Sequence, residues 1–225
     1  MFKNQALTVV LPAFNEGANI SKFITEIKDL KIVDEIIAVN NNSTDNTEQE
    51  IKKNDVVYIN ANKQGFGAAV KEGLKKCKTE LIIICEPDGS FQAKDILVIL
   101  EYINQFDAVF TSRTGSMQNF YLKYGNMIYA KVLSFIFRGP KLTDVGSSLR
   151  LFKKNDLLKF IHKLKSDGPE LQIELTINFF KQNIKIIEVP IKYFNRVGIS
   201  NYTGDFLGSL KVAIKFTKVV ISKFF

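Results

Sequence analysis

Apolar and polar positions along this chain alternate between two periods. Short apolar runs at Leu7–Leu11, Glu35–Val39, Val56–Asn60, Leu81–Cys85 and Ala108–Thr111 predict strands. Between them lie segments with helical spacing: Gly17–Leu30, Thr44–Lys53, Gly67–Cys77 and Lys94–Asn104. Apolar strands divided by helices of this length predict βαβ units, hence an α/β fold with a mostly parallel sheet covered on both faces. The second half changes character. It predicts a helix over Asn119–Phe137, a strand near Ser148–Phe152 and a helix over Glu170–Gln182. A strand over Ile184–Val189 and a short extension at Lys192–Asn195 follow. From about Asp205 to Phe225 an amphipathic helix is predicted. Lys211, Lys215, Lys218 and Ser222 form one narrow stripe on it, and apolar residues such as Leu207, Val212, Ile214, Phe216, Val220 and Phe224 cover most of the rest. With no repeat or Pro/Gly-rich linker, the expected organisation is one domain over residues 1–204 followed by this helix at 205–225.

Charge narrows the partners. The chain carries 31 basic and 23 acidic residues, a net charge of +8, which points to an anion: nucleic acid, a phosphorylated small molecule or an anionic membrane. Nucleic acid is disfavoured because the lysines are scattered and no recognised binding motif is present. Cys77 and Cys85 lie on a predicted helix and strand and read as buried, reduced thiols. The first strand begins almost at the N-terminus, leaving no room for a signal peptide, and no apolar run is long enough to span a bilayer. A cytoplasmic protein, peripherally attached to the inner membrane face, is the expectation.

The chemistry gathers after the strands. Glu86-Pro87-Asp88 closes the run Leu81–Cys85 and puts two carboxylates, at i and i+2, on one side of the sheet's C-terminal edge. Such hard oxygen donors suit a divalent cation that also holds a phosphate-bearing ligand, although Asp and Gly also mark turns. Pro12-Ala13-Phe14-Asn15-Glu16 follows the first strand; Asn15 and Glu16 can touch a nucleotide there, or simply start a helix with Asn15 as its cap. The polar run Asn40–Thr47 can line a base or ribose pocket, with Ser43 or Thr44 capping the next helix. Gly65-Phe66-Gly67-Ala68-Ala69 offers backbone N–H groups to an anion, or small residues for close helix packing; it lacks the Gly-Lys-Ser/Thr of a P-loop.

In this order, the segments Leu11–Glu16, Asn42–Asp45, Gly65–Ala69 and Glu86–Asp88 resemble the family-2 glycosyltransferases of GT-A fold. Asp144–Arg150, Gln172–Glu174, Val189-Pro190 and Arg196–Ser200 are similar to the branch that includes dolichol-phosphate mannosyltransferase. The resemblance implies sugar transfer from a UDP- or GDP-linked donor, in that branch onto a polyprenyl phosphate. It implies a donor site made of Pro12, Ala13, Asn15, Glu16, Asn40, Asn41, Lys63, Gly65, Gly67, Glu86, Pro87 and Asp88. Mg²⁺ or Mn²⁺ would sit on Glu86 and Asp88; Arg150, Arg196 and Ser200 would meet donor or acceptor phosphates. Asp88, Arg150, Asp144 and Glu174 are the catalytic candidates, Asp144 and Glu174 as general bases if the acceptor is a hydroxyl. The lone His162 reads as a solvated surface residue. Two departures stand out. Asn40 replaces a common carboxylate and favours a uridine over a guanosine donor, because an amide cannot accept from two adjacent guanine donors as Asp does. Glu86 replaces the first Asp, leaving Asp88 as the more direct metal ligand. Alternatives are transfer to a glycan hydroxyl, or an inactive sugar-nucleotide-binding protein. The basic helix suits either burial against the catalytic domain or lying flat on an anionic bilayer, where a lipid-linked acceptor would be held, with room for a membrane-protein partner that supplies an anchor.

Overall fold

A computed structural model describes residues 1–115, 120–196 and 206–224, without the side chains of residues 120–122 and 206–207. Seven strands form one sheet in the order β3-β2-β1-β4-β6-β5-β7. They are β1 (Leu7–Ala13), β2 (Glu35–Asn40), β3 (Val57–Asn60), β4 (Leu81–Ile84), β5 (Ala108–Thr114), β6 (Arg150–Lys153) and β7 (Ile186–Lys192). All neighbours are parallel except that β6 runs antiparallel to both β4 and β5. The helices are α1 (Ile20–Asp29), α2 (Thr47–Lys52), α3 (Phe66–Lys76), α4 (Asp95–Leu100), α5 (Phe120–Ile136), α6 (Lys154–Leu158), α7 (Leu171–Lys181) and α8 (Phe206–Phe224). The expected α/β class and mostly parallel sheet are what forms.

Side-chain alternation sorts the strands' apolar residues into two layers. Val10, Ile37, Val39, Ile82, Ile84 and Phe110 point to α3, α5, α7 and α8. Leu7, Val9, Leu11, Ile36, Ala38, Leu81 and Ile83 point to α1, α2 and α4. Burial on both faces explains why the strands read as unbroken apolar runs. β1 continues through Pro12, a residue that central strands avoid. Cys85 N–H bonds the Val10 carbonyl, so Pro12, two residues on, turns its missing N–H toward β4, which has already ended at Ile84. Pro190 likewise sits on β7, an edge strand, so β7 runs unbroken to Lys192 where the sequence suggested a stop at Val189.

Three helices are shorter than their patterns suggest. α1 starts at Ile20, after turns over residues 17–19. α4 stops at Leu100, and residues 101–105 form turns. α2 starts at Thr47 because Asp45 Oδ1 accepts the Thr47 backbone N–H at 3.0 Å; Ser43 and Thr44 do not cap it. The Lys-rich segment around His162, expected to be a helix, forms the short α6 and a separate 3₁₀ turn at Ile161–Lys163, which carries the exposed His162. Cys77 and Cys85 are free and buried. α8 lies against α5 and α7. The Tyr129 hydroxyl is 2.7 Å from both the Ala213 carbonyl and the Thr217 hydroxyl, and Lys223 Nζ is 2.8 Å from Glu174. Among the described residues, no helix is long and apolar enough to cross a membrane.

Candidate active site

The strand order reverses at β1, whose neighbours are β2 on one side and β4 on the other. Open α/β sheets bind ligands in the crevice at such a reversal, beyond the strands' C-terminal ends. The loops after β1 and β4 both open there, and they carry Glu16, Glu86 and Asp88.

Glu16 is buried. Its backbone N–H donates to Thr47 Oγ1 at 2.8 Å, and its carboxylate accepts from Asn19 Nδ2 at 3.1 Å and from Arg196 Nη2 at 2.7 Å. The other arm of the Arg196 guanidinium is 3.7 Å from Asp88 Oδ2. Asp88 Oδ1 accepts the Ser90 backbone N–H at 3.0 Å and the Ser90 hydroxyl, which fixes the carboxylate's orientation. Glu86 keeps a partly exposed edge, with the Ser148 hydroxyl and the Arg113 charge near enough to favour its ionised form. Burial first, then the neighbouring carboxylate of Asp88, pushes the Glu86 pKa up to about 7. Burial likewise lifts Glu16 to about 7, against the opposing Asn19 bond and Arg196 charge. Crowded, desolvated carboxylates with raised pKa values are groups that gain from a cation.

Glu86 and Asp88 therefore fit the divalent metal that their sequence position suggests. Among the described residues no set of three or more His, Cys, Asp or Glu side chains is arranged around a metal position. A cation on these two carboxylates would complete its oxygen shell from a diphosphate and water, the usual arrangement for Mg²⁺. When bound it would neutralise charge on a departing diphosphate.

The polar loops are stitched to one another. Asn15, at φ +54°, does not cap α1; its Oδ1 accepts the Thr44 backbone N–H at 2.8 Å across the crevice. Asn40 uses its carbonyl oxygen on the Ser43 N–H at 3.0 Å and its amide N–H on Asn60 at 3.1 Å. Asn41 Oδ1 accepts the Gly65 N–H at 2.7 Å. A Cβ on Gly65 would lie 2.2 Å from the Asp167 carbonyl oxygen, and one on Gly67 2.6 Å from that of Ser166. Ala68 N–H donates to the Asp167 carbonyl at 3.0 Å. The glycines thus let the 166–168 loop approach, and the helix-start N–H groups of Gly65 and Ala68 are already spent; the expected anion cradle is not formed by them. Lys63, exposed, pairs with Asp167, which Lys71 also holds at 2.7 Å.

Three expected site residues prove to be internal struts. Arg150 is fully buried and spends its guanidinium on the carbonyls of Val145 (2.8 Å), Ser147 and Gln172 (3.0 Å each) and on Thr176 Oγ1 (3.0 Å). Burial lowers its pKa to about 9, and it faces the Phe110 ring rather than a phosphate position. Asp144 grips Arg113 through two bonds of 2.6 and 2.8 Å. Burial would raise its pKa, but Arg113 and backbone N–H groups outweigh that and hold it below the ordinary range, the wrong direction for a base. Glu174 accepts from the backbone N–H groups of Lys165 and Ser166 and pairs with Lys223. Its burial is likewise outweighed, leaving its pKa lowered. Ser200 lies outside the described residues. Sequence reading missed Arg113, at the same sheet edge on the last residues of β5, and Ser148; an arginine ending a strand on that edge was the available signal for the first.

The model of the family described as glycosyl transferase family 2 matches residues 8–161, more than half of the chain, including the loops after β1, β2 and β4 that line this crevice. The chain belongs to glycosyl transferase family 2. The protein MJ1222 of Methanocaldococcus jannaschii is 30% identical over 195 residues, 82% of this chain and 79% of that one. The low-salt glycan biosynthesis hexosyltransferase Agl6 of Haloferax volcanii is 26% identical over 87% of this chain, which spans about half (49%) of its length. Among solved structures, glucosyl-3-phosphoglycerate synthase from Mycobacterium tuberculosis, in complex with Mn²⁺, UDP and glucosyl-3-phosphoglycerate, superposes with a TM-score of 0.78. It covers 98% of this chain and 80% of its own at 18% identity, which establishes the GT-A fold of this glycosyltransferase.

Proposed function

We propose that this family-2 glycosyltransferase moves a sugar, with inversion, from a UDP- or GDP-linked donor to a polyprenyl phosphate at the cytoplasmic face of a membrane. The observation that carries the reading is the cluster of Glu16, Glu86 and Asp88 bridged by Arg196 at the sheet's reversal point. Its carboxylates suit a metal–diphosphate, and the guanidinium suits the negative charge that builds on the leaving nucleotide. The complex of the mycobacterial enzyme with Mn²⁺ and UDP agrees with such a use.

Two further observations support this choice of acceptor. Asp144 and Glu174, the carboxylates best placed in sequence to act as bases, are both engaged in ion pairs and have lowered pKa values, which leaves them weak proton acceptors. A phosphate oxygen is already ionised at neutral pH and needs no base, whereas a sugar hydroxyl does. The second is an apolar surface. Ile128, Val132 and Phe135 on α5, the last 86% exposed, and Leu210, Ile214 and Ile221 on α8 are open to solvent. Lys211, Lys215 and Lys218 flank the α8 stripe, as on a helix lying in an anionic lipid surface.

The test is transfer itself. The purified chain is incubated with Mn²⁺, UDP-glucose or GDP-mannose, and undecaprenyl phosphate in vesicles, beside a sugar-lipid acceptor, and the products are weighed by mass spectrometry. Glycosylated undecaprenyl phosphate is expected. Modification of the sugar-lipid alone would replace the reading with hydroxyl transfer.

A further inference from the structure

Gln172, in the first turn of α7, is only 3% exposed, yet neither its amide nitrogen nor its amide oxygen has a partner among the described residues. A buried primary amide left wholly unpaired is costly, and folded proteins keep few of them. An apolar residue of the same size would relieve that cost, so the amide's presence needs a cause outside the internal packing.

Its position suggests the cause. Gln172 and Thr176 are one turn apart on the face of α7 that meets Arg150, which bonds both the Gln172 carbonyl and the Thr176 hydroxyl at 3.0 Å. Arg150 in turn holds the carbonyls of Val145 and Ser147. The next residue, Ser148, lies close enough to Glu86 to influence its carboxylate. One loop thus separates Gln172 from the acid cluster. The N-terminus of α7 follows the 166–168 loop that lies on Gly65 and Gly67, at the sheet's ligand-binding edge. Helical side chains lean toward their own helix's N-terminus, so the Gln172 amide is carried toward that edge and not down into the core.

We infer that the Gln172 amide hydrogen-bonds hydroxyls of the glycosyl group being transferred, and so helps select the donor sugar. This rests on the donor reading proposed above. An amide suits the task because its N–H₂ donates and its oxygen accepts, which matches the two complementary hydroxyls of a vicinal diol. Sites built to bond a substrate hydroxyl discriminate strongly, because a sugar lacking it leaves the buried amide unpaired again.

The test compares Gln172→Met and Gln172→Glu with the wild type. Measured are thermal stability, binding of free UDP and GDP, and kcat/KM with UDP-glucose and GDP-mannose in the vesicle assay. Removal of an unpaired amide leaves the melting temperature of Gln172→Met unchanged or higher, and binding of the free nucleotide unchanged. Its kcat/KM for the active donor falls roughly 10- to 100-fold, the scale of one or two lost hydrogen bonds. Gln172→Glu keeps the acceptor but not the donor and falls between the two. A Gln172→Met enzyme within about threefold of wild type overturns the inference. So does a clearly lowered melting temperature, which would mark a packing role. A wild type that transfers sugar from neither donor removes the donor reading and this one together, whereas wild-type transfer beside an unaffected Gln172→Met overturns this one alone.

Discussion

At the scale of single residues, the site shows how burial turns ordinary carboxylates into unusual ones. Glu16 is raised to about 7, chiefly by desolvation, whereas an unfolded chain would titrate it near 4.5. Between those values the folded protein holds the extra proton, so stability falls as pH rises across that window and levels off above about 7. Glu16→Gln cannot ionise. Its melting temperature relative to wild type should climb between pH 4.5 and 7 and stay flat above, in metal-free buffer; parallel melting curves against pH would contradict the shift. The sequence carried this site only partly. Glu86 and Asp88 were visible because the pair closes an apolar run at the sheet's C-terminal edge in company with the polar loops; alone, Asp and Gly there also mark a turn. Arg150 misled. The family resemblance put it at a phosphate, and nothing local signals that four oxygens from Val145, Ser147, Gln172 and Thr176 surround it. Such contacts span up to 26 residues of chain and belong to tertiary structure.

At the scale of elements, the strands were legible and the helix ends were not. Strand runs are apolar because both faces are covered, a signal that survives without any partner being known. α2 and α4 were overestimated because helical spacing continues through residues that Asp45 and the 101–105 turns divert. Small residues were noticed near the start of α3, but another close approach lies deeper, at Gly73. A Cβ there would sit 2.4 Å from Val10 Cγ1 and 3.2 Å from Val39 Cγ2, at the heart of the sheet. Gly125, within α5, offers the contrast, with nothing within 4 Å of the point where a Cβ would stand. In a helix interior, Gly→Ala ordinarily gains about 1 kcal/mol. Gly125→Ala should show that gain in urea unfolding. Gly73→Ala should instead show no gain and lose up to about 2 kcal/mol net, because overpacking of about 1–3 kcal/mol opposes the same gain. Equal effects at the two positions would mean that α3 can slide off the sheet without penalty.

At the scale of the whole molecule, topology decided where the chemistry sits, and topology was only half written in the sequence. The βαβ alternation of the first half implied neighbouring parallel strands, but insertion of the antiparallel β6 between β4 and β5 joins residues far apart in the chain and has no local mark. The C-terminal helix was read as amphipathic with one basic stripe; the fold adds that it has two apolar sides. Val212, Phe216 and Val220 pack inward, while Leu210, Ile214 and Ile221 remain exposed beside Lys211, Lys215 and Lys218. Tyr129, next to the exposed Ile128, bonds Thr217 on that outer side of α8, which brings the exposed stripes of α5 and α8 alongside each other. An apolar strip with lysines at its margin binds anionic bilayers through both burial and charge, each near-surface lysine adding about 1 kcal/mol. The protein should therefore sediment with vesicles containing phosphatidylglycerol and much less with phosphatidylcholine alone, and raised salt should weaken but not abolish binding. Changing Lys211, Lys215 and Lys218 together to Gln should cost roughly a hundredfold in affinity for anionic vesicles. Phe135→Ser should weaken binding to both lipids, because it removes buried apolar area and no charge. Neither change touches the acid cluster, so turnover of a water-soluble short-chain polyprenyl phosphate should stay at the wild-type level. If both variants instead bound vesicles as the wild type does, this face would not be the one that meets the membrane.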